Sequence, residues 1–209
     1  MANKLPSIAL ISFLLLASSI SLAQTKQKSD NRFFELEFTG GMNGCLLDYC
    51  KDSTPDLGGD ITLTQTINKY YGWALSFHYG SLKLEEVDST SYYSVNINGR
   101  LIYPLGPIRL FSALGFGYQT LFIEGNTNED HPWMDLRATG PKFDLALGIK
   151  VNIFKNFNLG LLVRMTVPIW SEACYRNDNE RICTEPQDKI IDLSLMPWFA
   201  GAILSYSFN

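Results

Sequence analysis

Hydrophobic and polar residues take turns along most of this chain with a period of two. Phe34, Leu36 and Phe38 alternate with Glu35, Glu37 and Thr39, and Ile61, Leu63 and Ile67 with Thr62, Thr64 and Thr66. Trp73, Leu75, Phe77 and Tyr79 interleave with Ala74, Ser76 and His78; Tyr93, Val95, Ile97, Leu101 and Tyr103 with Ser94, Asn96, Asn98 and Arg100. Leu110, Leu114, Phe116 and Tyr118 oppose Arg109, Ala113, Gly115 and Gly117, and the odd positions Phe143 to Ile153 oppose the even positions Lys142 to Asn152. Leu159, Leu161, Val163, Met165 and Val167 oppose Asn158, Gly160, Arg164 and Thr166, and Trp198, Ala200, Ala202, Leu204, Tyr206 and Phe208 share one parity at the end. Successive side chains of a strand point to opposite faces, whereas a helix repeats every 3.6 residues, so the pattern predicts eight strands. The uncharged run Leu193–Phe208 contains Pro197 and Gly201 and reads as the last strand. Its apolar parity switches between Leu195 and Trp198, which predicts a bulge near Met196–Pro197.

Between these segments, long and short connections alternate. The long ones are Met42–Asp60, Leu84–Ser91, Glu124–Pro141 and Ser171–Lys189; the short ones are Asn68–Gly72, Pro104–Pro107 and Phe154–Phe157. No helical pattern interrupts the series. The fold class is therefore all-β, an eight-stranded antiparallel up-and-down barrel with its loops gathered at one end.

Three features set the apolar face outward, toward lipid. The polar face carries charges in mid-strand together with small residues (Ala113, Gly115, Gly117, Ala146, Gly148, Gly160), which suits a narrow lumen. The apolar face carries Trp73, Tyr79, Tyr93, Tyr103 and Tyr118 near strand ends, as interfacial girdles require. Loop length is lopsided, as in outer-membrane barrels with short periplasmic turns, and strand reach agrees: ten residues at ~3.3 Å each, tilted ~45°, rise roughly 23 Å against an apolar band of ~25 Å. These features define a transmembrane, porin-like barrel. The alternative with the apolar face inside is a secreted soluble barrel that binds an apolar ligand.

The start of the chain fits export. Lys4, the apolar run Ile8–Leu16 and Ser21-Leu22-Ala23 have the three-part form of a signal peptide over residues 1–23, followed by a short polar lead, 24–31, and a barrel domain, 32–209. Loss of Lys4 with that segment leaves 16 basic residues against 21 acidic ones. An acidic balance without a Lys/Arg cluster argues against nucleic acid as a partner. In an oxidising compartment Cys45, Cys50, Cys174 and Cys183 form an even set. All four lie in the first and last long loops, and the local pairs Cys45–Cys50 and Cys174–Cys183 are the expected connectivity among three possible ones.

Tyr93-Ser-Val-Asn-Ile-Asn-Gly-Arg-Leu-Ile-Tyr-Pro-Leu105, Leu114-Gly-Phe-Gly-Tyr118, Phe143-Asp-Leu-Ala-Leu-Gly-Ile-Lys-Val-Asn-Ile153 and the ending Leu204-Ser-Tyr-Ser-Phe208 resemble the small eight-stranded outer-membrane barrels of the OmpA, OmpX and opacity-protein kind. The resemblance spans Arg32 to Asn209 and departs from the family in ending on Asn209 rather than on the aromatic. It implies a Gram-negative outer-membrane location, with membrane lipid as one partner and a surface or envelope protein, met through the long loops, as another. It is specific for architecture and poor for activity, because the family includes adhesins, structural barrels and a few lipid-modifying enzymes.

Glu35, Glu37, Arg100, Arg109, Lys142, Asp144, Lys150 and Arg164 fall on the lumen parity. Charges crowded into a narrow space should pair, so the expectation is a plugged interior, with Glu37 reaching Arg100 or Arg164 and Asp144 near Arg164. A gated ion path is the alternative use of the same charges. His78 reads as a lumen hydrogen-bonder and His131, beside Asp130, as loop decoration. The family's lipid-modifying members use a rim histidine with Ser or Asp, and no Ser–His spacing here marks such a site. The resulting expectation is a non-enzymatic barrel without cofactor, metal or catalytic residues, whose external loops are structural, adhesive or partner-binding.

Overall fold

The structure is a computed structural model and describes residues 33–46, 53–83, 89–125, 135–177, 180–184 and 196–208. The compact unit Asn31–Asn209 contains the barrel. Its strands are β1 (Phe33–Leu46), β2 (Thr54–Asn68), β3 (Tyr71–Lys83), β4 (Ser89–Leu105), β5 (Ile108–Glu124), β6 (Asp135–Phe154), β7 (Phe157–Pro168), β8 (Glu172–Asn177), β9 (Glu180–Thr184) and β10 (Met196–Phe208). Eight of them, β1 to β7 and β10, pair antiparallel with their neighbours, and the β1–β10 pairing closes the ring. The hydrogen-bonded partners Phe34, Gln65, Trp73, Gly99, Leu114, Leu145, Met165, Trp198 and Gly44 trace one circuit of the wall. The circuit leaves β1 at Phe34 and rejoins it at Gly44, ten residues further on. This stagger is the shear that tilted strands need in order to close.

The turns at one end are as short as expected. Asn68 Oδ1 accepts from the backbone N–H of Tyr70 (2.8 Å) and Tyr71 (3.0 Å), an Asx-type turn that joins β2 to β3. Between β4 and β5, Gly106 takes φ 64°, a left-handed conformation that a side chain disfavours.

At the other end the wall outruns the expected strands. β1 continues to Leu46, β2 starts at Thr54, β4 at Ser89 and β6 at Asp135, inside segments that the alternation assigns to loops. The predicted loop Ser171–Lys189 is likewise corrected, because it contains the β8–β9 hairpin. β7 stops at Pro168, and bonds from Ile169 N to Pro141 O (2.7 Å) and from Ser171 N to Thr139 O (2.9 Å) carry the chain past the break. β8 then resumes pairing with β6 at Glu172↔Thr139. The predicted bulge at Met196–Pro197 is absent: the β1–β10 register runs unbroken from Leu46↔Met196 to Phe34↔Phe208. Leu193 and Leu195, on which that reading rests, lie outside the described residues.

The apolar parity faces outward on every wall strand. Leu145 is 43% exposed, Leu161 62% and Val163 54%, while Asp144 and Arg164 are buried. On β6 the apolar outward run covers Phe143 to Ile153. Ten steps of ~3.3 Å at ~45° again rise roughly 23 Å, about the height of an outer-membrane apolar band. Tyr79, Tyr93 and Tyr118 lie outward toward the loop end of this band, and Phe34, Tyr71, Tyr103 and Tyr206 toward the turn end. A wall with this much greasy surface turned out and charges turned in is a membrane-spanning barrel, and it excludes the soluble barrel with an apolar cavity.

Beyond the loop-end girdle the code inverts. Leu82, Tyr92, Leu121, Ile123, Leu136, Ala138 and Ala173 point inward and form a buried apolar cluster, against which Cys45, Trp170 and Tyr175 pack. Outward positions there include Lys83, Ser89, Ser91, Glu124, Asp135 and Arg137, together with the apolar Leu46, Leu57 and Phe122. The extension is thus built as a soluble barrel would be.

Candidate functional site

Inside the lipid-spanning part, the register stacks inward side chains in layers. The layer nearest the short turns is ionic. Glu37 bonds Arg100 and accepts from the Thr64 hydroxyl, and Lys150 Nζ lies 2.8 Å from Glu37 Oε1 and 3.1 Å from Glu35 Oε1. Glu35 also accepts from Ser205 and from Asn158 Nδ2 (3.1 Å), and Arg109 Nη1 approaches it at 3.5 Å. Phe111 extends into this layer, with the Arg100 guanidinium 5.0 Å and Lys150 Nζ 5.3 Å from its ring centroid. Such cation–π contacts are strongest where water is excluded.

The next layer is uncharged. On one side Thr62 donates to Ser76 (3.1 Å), Asn98 donates to Ser76 (3.0 Å) and Asn96 donates to Asn98 (2.9 Å). On the other, Ala113, Ala146, Leu162 and Ile203 pack with Phe111 and Phe199. Glycine is required where these layers meet the wall: a Cβ on Gly148 would lie 2.3 Å from the Phe111 ring and 2.8 Å from the backbone oxygen of Leu161, and one on Gly117 would lie 2.1 Å from the backbone oxygen of Val95.

A second ionic layer sits below the loop-end girdle. Arg164 Nη1 donates to Asp60 Oδ1 (3.0 Å), and Arg164 Nη2 lies 2.7 Å from His78 Nδ1. Nδ1 also lies 3.0 Å from Asp60 Oδ1, so it stands between a donor and an acceptor and joins Arg164 and Asp60 in one three-membered cluster. On the far side of the ring, Nε2 lies 3.2 Å from Tyr92 OH, Tyr92 donates to Asn43 Oδ1 (2.7 Å), and Asn43 Nδ2 donates to Leu57 O (3.1 Å). Beside it, Lys142 Nζ pairs with Asp144 Oδ2 (2.8 Å), and Thr166 donates to Asp144 Oδ1 (2.7 Å). Lys142 is only 1% exposed, so its charge depends on this pairing.

All eight residues read as lumen charges thus face inward, seven of them buried and Arg109 half-buried. Of the two partners expected for Glu37, Arg100 is the one it meets. Asp144 lies near Arg164, as expected, but its direct salt bridge is to Lys142, its i−2 neighbour on the same face, while Arg164 bonds Asp60 across the lumen. Sequence reasoning misses Asp60, which it places at the end of a loop, and the relay members Tyr92 and Asn43. His78 faces the lumen next to Tyr79 of the loop-end girdle, at 1% exposure. His131 lies outside the described residues. Cys174 and Cys183 form a disulfide across the β8–β9 hairpin, and Cys45 is also disulfide-bonded; its expected partner Cys50 lies outside the described residues.

The fold is that of the small eight-stranded outer-membrane barrels. No protein-family model and no curated protein matches the sequence. Solved structures do match in shape. Neisserial surface protein A superposes with a TM-score of 0.59 at 10% identity, covering 84% of this chain and 97% of that one. A major outer membrane protein from Thermus thermophilus gives 0.58 at 10% identity, over 85% of this chain and 100% of that one. Ail, the attachment invasion locus protein of Yersinia pestis, gives 0.50 at 15% identity, over 85% and 99%.

Proposed function

We propose that this chain is a non-enzymatic barrel of the bacterial outer membrane, exported by residues 1–23, with a plugged lumen and a working surface at its loop end. The packed lumen carries the reading. Charges on six strands reach across it into two paired layers separated by an uncharged one, and the apolar cluster of the extension lies above both. An eight-stranded wall has only enough interior for its own side chains, and here they bond to one another rather than line a water path. What is left for a partner is the extension and its disulfide-bonded segments. An attachment role, of the kind named for Ail, fits a barrel that offers its end rather than its bore.

Planar-bilayer recording on the refolded protein tests the plug. The expected trace is flat or shows brief, small events; steady large openings would overturn it. Adhesion of cells displaying the barrel, compared with cells displaying one shortened above the girdle, tests the working surface. Equal adhesion by both would remove that role.

A further inference from the structure

The two ends of the barrel differ in charge. Toward the loop end the wall mixes the acids Asp56, Glu124, Asp135 and Glu172 with its bases. At the short-turn end Lys69 and Lys155 are exposed and Arg109 opens onto the mouth, and no exposed carboxylate faces them among the described residues. The nearest acid, Glu35, is buried, engaged by Ser205, Asn158 and Lys150, and 3.5 Å from Arg109. In outer-membrane barrels the short turns lie on the periplasmic side.

A cavity of about 640 Å³ opens here, between the start of β1, the β4–β5 and β6–β7 turns and the end of β10. Its size falls within the ~300–1,000 Å³ of small-molecule sites. One side is polar. Arg109 and Lys155 line it, and the Arg109 guanidinium rests over the Phe33 ring, 5.6 Å from its centroid. Asn156 Nδ2 donates to Tyr206 OH (3.3 Å), so that hydroxyl keeps its own proton to donate. The other side is aromatic and continues onto the lipid face. Phe208 and Tyr206 line it, and their rings extend a ladder along the wall: Phe34 to Phe208 5.9 Å, Phe208 to Tyr206 6.4 Å, Tyr206 to Phe157 5.0 Å. Phe34 and Tyr206 belong to the turn-end girdle, so the cavity straddles the plane where hydrocarbon gives way to water.

We propose that this cavity seats the headgroup of an anionic phospholipid of the periplasmic leaflet, a phosphodiester that carries no amine. The phosphate takes Arg109, Lys155 and the Tyr206 hydroxyl, and the acyl chains lie along the ladder from Phe157 to Phe34. Charge selects the headgroup: an ethanolamine or choline group would bring a third cation to a mouth that shows no exposed carboxylate to receive it. The bound lipid ties the turn end of the wall to its leaflet, whatever the loop end binds.

The full chain, folded in a neutral detergent, tests this. It is mixed with phosphatidylglycerol, phosphatidylethanolamine or phosphatidylcholine and weighed intact by native mass spectrometry. One phosphatidylglycerol is expected to be held about 25-fold more tightly than either zwitterionic lipid, about fivefold for each cation. Glycerophosphoglycerol, the same headgroup without acyl chains, is expected not to displace it at equal concentration. Lys155→Gln, on an exposed turn, is expected to reduce the preference to about fivefold, and Arg109→Gln with it to abolish the preference while the folded gel form persists. Lys83→Gln, at the loop end, is expected to leave it at about 25-fold. Equal retention of the three lipids, or an undiminished preference in K155Q, would overturn the site. Displacement by glycerophosphoglycerol would show that a free phosphodiester suffices and overturn the lipid as its source. A loss in K83Q as large as in K155Q would trace the effect to net charge, with the same consequence. None of these readouts depends on the conductance or adhesion tests above.

Discussion

The lipid-spanning wall and the extension above it share strands, register and parity, yet they are written in opposite codes. On β6, Lys142, Asp144 and Lys150 point into the lumen while Leu145 and Leu147 point to lipid; a few residues earlier on the same strand, Leu136 and Ala138 point in while Asp135 and Arg137 point out. Backbone geometry is unchanged across the Tyr79, Tyr93 and Tyr118 girdle; the medium outside the wall is what changes. Where that medium is hydrocarbon, the lumen is the only place for a charge. Where it is water, burial of apolar surface again drives packing. One barrel therefore has two cores with different energetics: a lower one in which paired ions and hydrogen bonds flank an apolar cluster, and an upper one held by exclusion of water.

Substitutions that separate the two regimes follow, from the largest expected effect. Glu37→Ala leaves Arg100 and Lys150 without their shared carboxylate and should cost about 3–5 kcal/mol of barrel stability, as breaking a buried pair does; urea titration of refolding into lipid vesicles measures it. Ile123→Ala empties part of the fully buried upper core and should cost about 2–5 kcal/mol. Val163→Ala, facing lipid, loses the transfer of two carbons into hydrocarbon but leaves no cavity, and should cost about 1.5 kcal/mol in the same titration. Equal losses at Ile123 and Val163 would erase the distinction between the two cores. Leu147→Arg, in the middle of the apolar band, should cost about 2–4 kcal/mol, whereas Ser91→Arg, above the girdle, should cost about 0–1. A large penalty at Ser91 would move the membrane boundary toward the loops. Cys174→Ser opens the β8–β9 disulfide and should cost the hairpin about 2–3 kcal/mol, seen as new protease cuts in the extension while the spanning strands stay protected.

The same inversion explains what can be read from the sequence. Within the lipid band every strand is legible, because outward Leu145, Leu161 and Val163 and inward Asp144 and Arg164 obey one rule of alternation. At the girdle that rule fails. Leu121 and Ile123 occupy the parity that holds Arg109 and Gly117 lower on β5, so a reading by one code ends the strand and sees a loop. Tyr92 and Tyr93 stand side by side and point to opposite faces, one into the relay and one to the interface. Sign and parity narrow the partners of Glu37 to two arginines, but the choice between them depends on depth in the bore. Arg164 and Asp60 meet across that bore from β7 and β2, a distance set by ring closure that no local spacing encodes. Phe199 and Ile203 escape a reading as interior residues because their strand's inward face is not polar there.

The ten-residue climb from Phe34 to Gly44 bears on how such a wall can change in length. Deleting a single residue from a spanning strand would swap its two faces beyond the cut, sending Asp144 or Arg164 toward hydrocarbon and a leucine toward the bore. Tolerated insertions and deletions in this part should therefore come in twos or be confined to the water-facing end, and lineages of such barrels should diverge in loop length long before they diverge in strand length.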